Sequence, residues 1–307
     1  MGRLRRIGFA GAGAVGCHYG SKLLQAGFEV LLLARGAHLL ALQQHGLSHE
    51  SGGQRRQLVV DATDDITRLA DCDVVLFSSK MNDLEAMLER MQGHLAAGAM
   101  LVSLQNGVQA PDMLAAAFPA HTVAAGTAFI GARLTGPGAV MHSAAGGMRL
   151  GLWRKGDGDA RLSQLISALD AAGVPVRLDA DPAAMLWRKL LWNCGFNAIT
   201  ALTRCYARDM AANAETLPVV MQAMQEAVAV GTALGVAVDA ADIDKHIAVT
   251  LAMWQVKTSM WQDIEAGRAC EIDYINGYVA TQADQLGLAA PVNRMLSTLV
   301  HALDKAG

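Results

Sequence analysis

The 307-residue chain has no surplus of positive charge: 25 Lys and Arg stand against 28 Asp and Glu, a formal net charge of −3. It therefore lacks the electrostatic footprint by which a protein holds nucleic acid or an anionic membrane surface. Although 52% of its residues are hydrophobic, no apolar run reaches the ~18 residues of a spanning helix. Disorder is excluded too, because so much apolar material supports a sizeable core. Five cysteines, Cys17, Cys72, Cys194, Cys205 and Cys270, are odd in number, widely spaced and form no CxxC. That pattern argues against a disulfide framework or a structural zinc site and fits buried thiols in a reducing cytoplasm. His38, His45 and His49 lie near one another, but no carboxylate or thiol set completes a metal site, so they read as a solvated connector. There is no internal repeat and no low-complexity segment.

Short β-rich runs alternate with helix-like stretches through the first half. Ile7–Ala10, Val30–Ala34, Leu58–Asp61, Asp73–Ser78, Met100–Leu104 and Thr122–Ala125 are candidate strands, and Ala14–Gln25 reads as a helix. Continuous apolar strands separated by helices indicate a parallel sheet covered on both faces. Gly136-Pro137-Gly138 then marks a turn between Gly126–Arg133 and Ala139–His142, an antiparallel addition. Beyond Asp181 the periodicity is helical over Pro182–Leu202, Leu217–Leu234, Asp242–Ala266, Cys270–Leu286 and Pro291–Lys305. The expected class is α/β, a Rossmann-like domain over residues 1–178 followed by an all-helical domain over 179–307. The very apolar Leu217–Leu234 stretch reads as a helix enclosed by others or as an oligomer contact, which leaves a homodimer open.

Gly11-Ala12-Gly13-Ala14-Val15-Gly16 is a GxGxxG that follows a strand-like run, opens a helix and precedes a second strand. In that context it reads as a dinucleotide loop. The first glycine permits the tight turn, the second lets backbone approach a pyrophosphate, and the third lets helix and strand pack closely. The basic, then apolar N-terminus is accounted for by this loop rather than by a secretion signal. The second strand ends in Ala34-Arg35-Gly36, without the Asp or Glu that holds the 2′-OH in NAD binders. Arg35 can pair a 2′-phosphate bidentately, so the expected cofactor is NADPH/NADP+. Lys80 and Asn106 stand at two further strand ends, where a doubly wound sheet presents its ligands.

In the helical half, Lys189, Asn193 and Asn197 recur every four residues and share one helix face, about 6 Å apart. Such a stripe on so apolar a helix is expensive to bury without partners, so it lines a crevice or meets a ligand, unless it is a plain surface stripe. Ser259 and Glu271 form a second polar set.

These residues together resemble the ketopantoate reductase (2-dehydropantoate 2-reductase) family. The resemblance rests on GAGAVG with its terminal Arg35, on SSK at 78–80 and QNGV at 105–108. It continues through GPGAVMH at 136–142, WRKLLWNCGFNAITAL at 187–202, SMWQDI at 259–264 and CEIDYINGYV at 270–279. It implies a cleft between the domains and NADPH-dependent reduction of the 2-keto group of a small-molecule 2-oxo acid, ketopantoate, to D-pantoate. It further implies Lys189 as catalytic lysine, Glu271 as supporting acid, and Asn193, Asn197 and Ser259 as substrate contacts. Lys80 and Asn106 would border the nicotinamide and Arg35 would meet the 2′-phosphate. Val256 and Ala207 stand where some members carry asparagines, and Trp192 and Trp261 are bulky. These departures keep open another branched 2-oxo acid as substrate; a non-catalytic NADP(H) sensor is the remaining alternative.

Overall fold

The computed structural model describes residues 4–153 and 159–304. Strand β1 (Arg6–Ala10), helix α1 (Ala14–Gln25) and strand β2 (Glu29–Leu33) open the chain. Helix α2 (Gly36–His45) leads into the hairpin of β3 (Leu47–Ser51) and β4 (Gln54–Leu58), followed by β5 (Asp61–Thr63). Next come β6 (Val74–Phe77), α3 (Leu84–Met91), β7 (Met100–Ser103) and α4 (Ala110–Ala117). A long hairpin, β8 (Thr122–Gly136) and β9 (Ala139–Leu152), precedes α5 (Asp159–Ala171) and β10 (Val176–Leu178). The rest is helical: α6 (Pro182–Thr203), α7 (Ala207–Ala212), α8 (Leu217–Ala233), α9 (Ala240–Ala252), α10 (Ser259–Glu265), α11 (Asn276–Leu286) and α12 (Pro291–Asp304). The chain forms two compact units. One holds the described residues up to Gln105 together with Gln109–Pro182; the other holds Asn106–Val108 and the described residues from Ala183 onward.

The first unit is a ten-stranded mixed sheet. Six strands run parallel in the order β5-β2-β1-β6-β7-β8. β6 (VVLF) and β7 (MLVS) are buried along their whole length, as strands covered on both faces must be. Chain order reverses about β1, which pairs with β2 on one side and β6 on the other. That is the switch point at whose carboxyl ends doubly wound sheets bind ligands.

The short runs expected after Thr122 are halves of longer strands. β8 continues through Gly136, turns at Pro137-Gly138 (φ +71 at Gly138) and returns as antiparallel β9. The far side of β9 is divided: Ala139–His142 pair with β3 and Met148–Leu150 with β10. The handover falls at Ala145 and Gly146, both left-handed (φ +55 and +114).

Two expectations fail here. Leu58–Asp61 is not a strand: β4 ends at Leu58, Val59 is 94% exposed, and β5 begins at Asp61. The histidine region is not a solvated connector either. It forms α2 and the β3–β4 hairpin, and His49 is buried on β3 with its Nε2 3.1 Å from His18 Nδ1. The His142 ring packs on His18 at 4.3 Å between centroids, and its Nδ1 lies 2.9 Å from Ser51 Oγ. The cluster joins α1, β3 and β9. Among the described residues no group of His, Cys, Asp or Glu is arranged to hold a metal ion.

In the second unit, α8 packs on α7, α9, α11 and α12 and buries Val220, Ala223, Met224, Ala227 and Val230, while Val219 and Leu234 of the apolar stretch stay exposed. Glu226 on α8 is buried and accepts hydrogen bonds from the backbone N–H groups of Val292 (3.0 Å) and Asn293 (2.9 Å) and from Asn293 Nδ2 (2.8 Å). The two backbone groups are first-turn donors of α12 that lack a partner within the helix, where a carboxylate is well placed. Asn276 extends the network by donating to Asn293 Oδ1 and to the Cys194 carbonyl of α6, both at 2.9 Å.

Asp242–Ala266 is not one helix. α9 stops at Ala252, and α10 starts after Thr258, whose hydroxyl accepts from Trp261 N (3.3 Å) and meets Thr200 Oγ1 of α6 at 2.7 Å. A side chain that caps a new helix and ties it to α6 outweighs the helical periodicity. Cys270–Leu286 is broken in the same way. Glu271 precedes a single 3₁₀ turn, Ile272–Tyr274, and α11 begins at Asn276. Among the described residues no helix is long and apolar enough to cross a membrane.

Candidate functional site

The glycine loop of the first unit divides its three roles as the spacing requires. Gly11 has φ +118, and a Cβ there would stand 2.5 Å from Ser79 N. A Cβ at Gly16 would stand 2.3 Å from the Gly11 carbonyl oxygen. Gly13, by contrast, faces open space, its nearest neighbour being Ser78 O at 3.9 Å. It is the N-cap of α1, and no side chain caps that helix. Free backbone N–H groups and the positive end of the helix dipole are thus open to an anion. Ser78 Oγ donates to the Gly11 carbonyl at 2.7 Å and fixes the turn against the end of β6. Ser79 Oγ, beside it, is buried and has no partner, and neither amide atom of the buried Gln105 past the end of β7 is bonded. The open glycine, the uncapped helix and the orphaned strand-end polar atoms fit a dinucleotide.

Arg35 stands at the N-cap of α2, 84% exposed, and pairs with Asp83, whose Oδ2 lies 3.2 Å from Nη2. Lys80, half-buried, follows β6 and precedes the 3₁₀ turn Met81–Asp83.

The second unit carries the polar stripe on α6. Lys189 is half-buried, whereas Asn193 and Asn197 are buried. Asn193 Nδ2 and both amide atoms of Asn197 have no hydrogen-bond partner. Unpaired buried amides are costly, and their presence on one face marks a place made for a ligand. Bulky neighbours secure the helix: Trp192 Nε1 donates to Thr250 Oγ1 at 2.9 Å, and Thr200 holds the start of α10. Ser259, the first residue of α10, is exposed.

Glu271 is 4% exposed, and Asn106 Nδ2 donates to its Oε2 at 2.9 Å. The two residues are far apart in sequence, and the fold brings them together within the second unit. Desolvation lowers the Lys189 ammonium from 10.5 to about 8, while the Glu271 charge acts to raise it. A lysine whose pKa is drawn towards neutrality can give or take a proton under ordinary conditions.

Sequence reasoning missed the Asn106–Glu271 bond, the Arg35–Asp83 pair and the capping Thr258. Of these only Thr258 carries a local signal, a threonine ahead of an apolar run.

Comparison with known proteins finds the same family in both parts of the chain. The family model described as ketopantoate reductase PanE/ApbA matches residues 7–155, and its C-terminal counterpart matches residues 181–304. A 2-dehydropantoate 2-reductase of Halobacterium salinarum is 32% identical over 98% of this chain and 100% of its own. A ketopantoate reductase crystal structure from Ralstonia eutropha is 32% identical with a TM-score of 0.90, covering 98% of this chain and 99% of that one. A ternary structure of D-mandelate dehydrogenase with NADH and anilino(oxo)acetate is 25% identical, with a TM-score of 0.91 over 98% and 99% of the two chains. A glycine turn open only at its second glycine, a near-neutral lysine on a helix of orphaned asparagines, and family matches in both units agree: the chain belongs to the ketopantoate reductase family, and it is an oxidoreductase.

Proposed function

We propose that the protein reduces the 2-keto group of 2-dehydropantoate to D-pantoate with NADPH, a cytoplasmic step of pantothenate synthesis. The observation that carries this is the α6 stripe, where a lysine with a pKa of about 8 shares a face with two buried asparagines that have unused amide atoms. In this reading the Gly11–Gly16 turn (with Ala12, Ala14 and Val15) holds the dinucleotide phosphates, Arg35 meets the 2′-phosphate, and Lys80 and Asn106 border the nicotinamide. The bound cofactor supplies a hydride. Lys189 points its ammonium at the keto oxygen, stabilises the growing negative charge and delivers the proton. Glu271, steadied by Asn106, keeps that ammonium charged and oriented. Asn193, Asn197 and Ser259 hold the substrate's carboxylate and hydroxyl by neutral hydrogen bonds.

A second reading keeps the chemistry and changes the acid. Ala207 and Val256 are apolar where some family members carry asparagine, and the D-mandelate dehydrogenase likeness favours a bulkier 2-oxo acid. Initial rates with ketopantoate, branched aliphatic and aryl 2-oxo acids, followed as loss of reduced-nicotinamide absorbance, separate the two. Ketopantoate should show the highest kcat/KM, and the rate with NADPH should exceed that with NADH. A preferred aryl substrate would replace the first reading with the second. Turnover of no 2-oxo acid would remove both.

A further inference from the structure

We propose that Asp83 sets the balance between NADPH and NADH in this chain. The inference rests on the reading that Arg35 meets the 2′ substituent of the adenosine ribose. The end of β2 carries no acid, since it reads Ala34-Arg35-Gly36. The fold supplies one from elsewhere. Asp83 closes the 3₁₀ turn after β6 and places Oδ2 and Oδ1 at 3.2 and 3.4 Å from Arg35 Nη2. Both side chains reach solvent, 84% and 44% exposed, so a ligand has access to either. Both contacts use Nη2, which leaves Nη1 and Nε to receive a second anion. A phosphate seated there lies beside a carboxylate of its own sign, and that repulsion opposes NADPH. A ribose 2′-OH seated there finds an acceptor, which favours NADH. The pair thus offers a donor for the phosphate and an acceptor for the hydroxyl, and Asp83 narrows the preference that Arg35 alone would create.

The test is equilibrium titration of the full chain with NADPH and with NADH, read by fluorescence of the reduced nicotinamide. The proteins are wild type, Asp83→Asn, Arg35→Ala and the double variant. Asp83→Asn should tighten NADPH about 3- to 10-fold and weaken NADH about 2- to 5-fold, with the NADPH gain shrinking at high salt because the pair is exposed. In the Arg35→Ala background the NADPH gain should vanish. An unchanged NADPH:NADH affinity ratio in Asp83→Asn, or equal changes for both cofactors, overturns the proposal even where Arg35→Ala weakens NADPH selectively. If Arg35→Ala weakens both cofactors alike, the underlying reading of Arg35 fails instead, and the role of Asp83 falls with it.

Discussion

Lys189 gives a sharp pH signature. Desolvation on α6 brings its ammonium from 10.5 down to about 8, against the opposing pull of Glu271. With that pKa about nine-tenths of the molecules carry the ammonium at pH 7 and about one-tenth at pH 9. In the proposed mechanism reduction needs the protonated form. With saturating NADPH, kcat/KM for the 2-oxo acid should be level below about pH 7, halved near 8, and should fall about tenfold per pH unit beyond. Alcohol oxidation, which needs the free amine, should rise over the same interval. Glu271→Gln removes the charge that raises the lysine, so the break should move to a pH below that of the wild type. Lys189→Ala should lower kcat by a factor on the order of 10² or more, abolish the alkaline limb and leave cofactor binding intact. An alkaline limb that persists unmoved in Lys189→Ala would refute the reasoning, as would a break displaced upward in Glu271→Gln.

Three further outcomes can be checked. Gly16→Ala and Gly13→Ala should part company. The first drives a Cβ into the Gly11 carbonyl and should destabilise the first unit by about 1–3 kcal/mol in denaturant titration, whereas the second meets only open space and should leave stability intact while weakening NADPH at least ~10-fold. Glu226→Ala strips the start of α12 of its acceptor and should cost about 3 kcal/mol of stability; an unchanged thermal midpoint would mean the network is not holding the helix. Burial holds His18 down to about 3 and His49 to about 4, with neighbouring positive charge adding to the effect. Both bind protons more weakly folded than unfolded, so their contribution is complete above about pH 6.5 and erodes as pH falls below it. A His18→Gln/His49→Gln variant should show a shallower loss of urea midpoint between about pH 7 and 5, and a slope equal to that of the wild type would count against the cluster.

The parts of the molecule legible in its sequence are those written in local periodicity. The glycine turn, the helix it opens, the buried parallel strands and the stripe of Lys189, Asn193 and Asn197 at four-residue spacing each depend on residues within two or three turns of one another. What escaped depends on distant partners. The break between α9 and α10 carries no Gly or Pro; it exists because Thr258 finds Thr200 across the helical unit. Glu271 is held by Asn106, which follows β7 in the other half of the sequence. No acid stands beside Arg35 in the sequence, yet the turn after β6, on the far side of β1 in the sheet, brings Asp83 to it. The histidines near β3 looked solvated because nothing local shows His18 and His142 closing on them.

The outermost strands of the first unit have one more consequence. β4 (QRRQL) ends one side of the sheet with Gln54, Arg55, Arg56 and Gln57 exposed, and β5 ends the other after three residues. A wide sheet that ended in long, apolar strands would template its own polymerisation. Here Arg56 and the Arg55–Glu50 ion pair put charge and long polar side chains along one border, and at the other there is too little free backbone to grip. Edge-to-edge growth of folded copies is thereby disfavoured at these two borders.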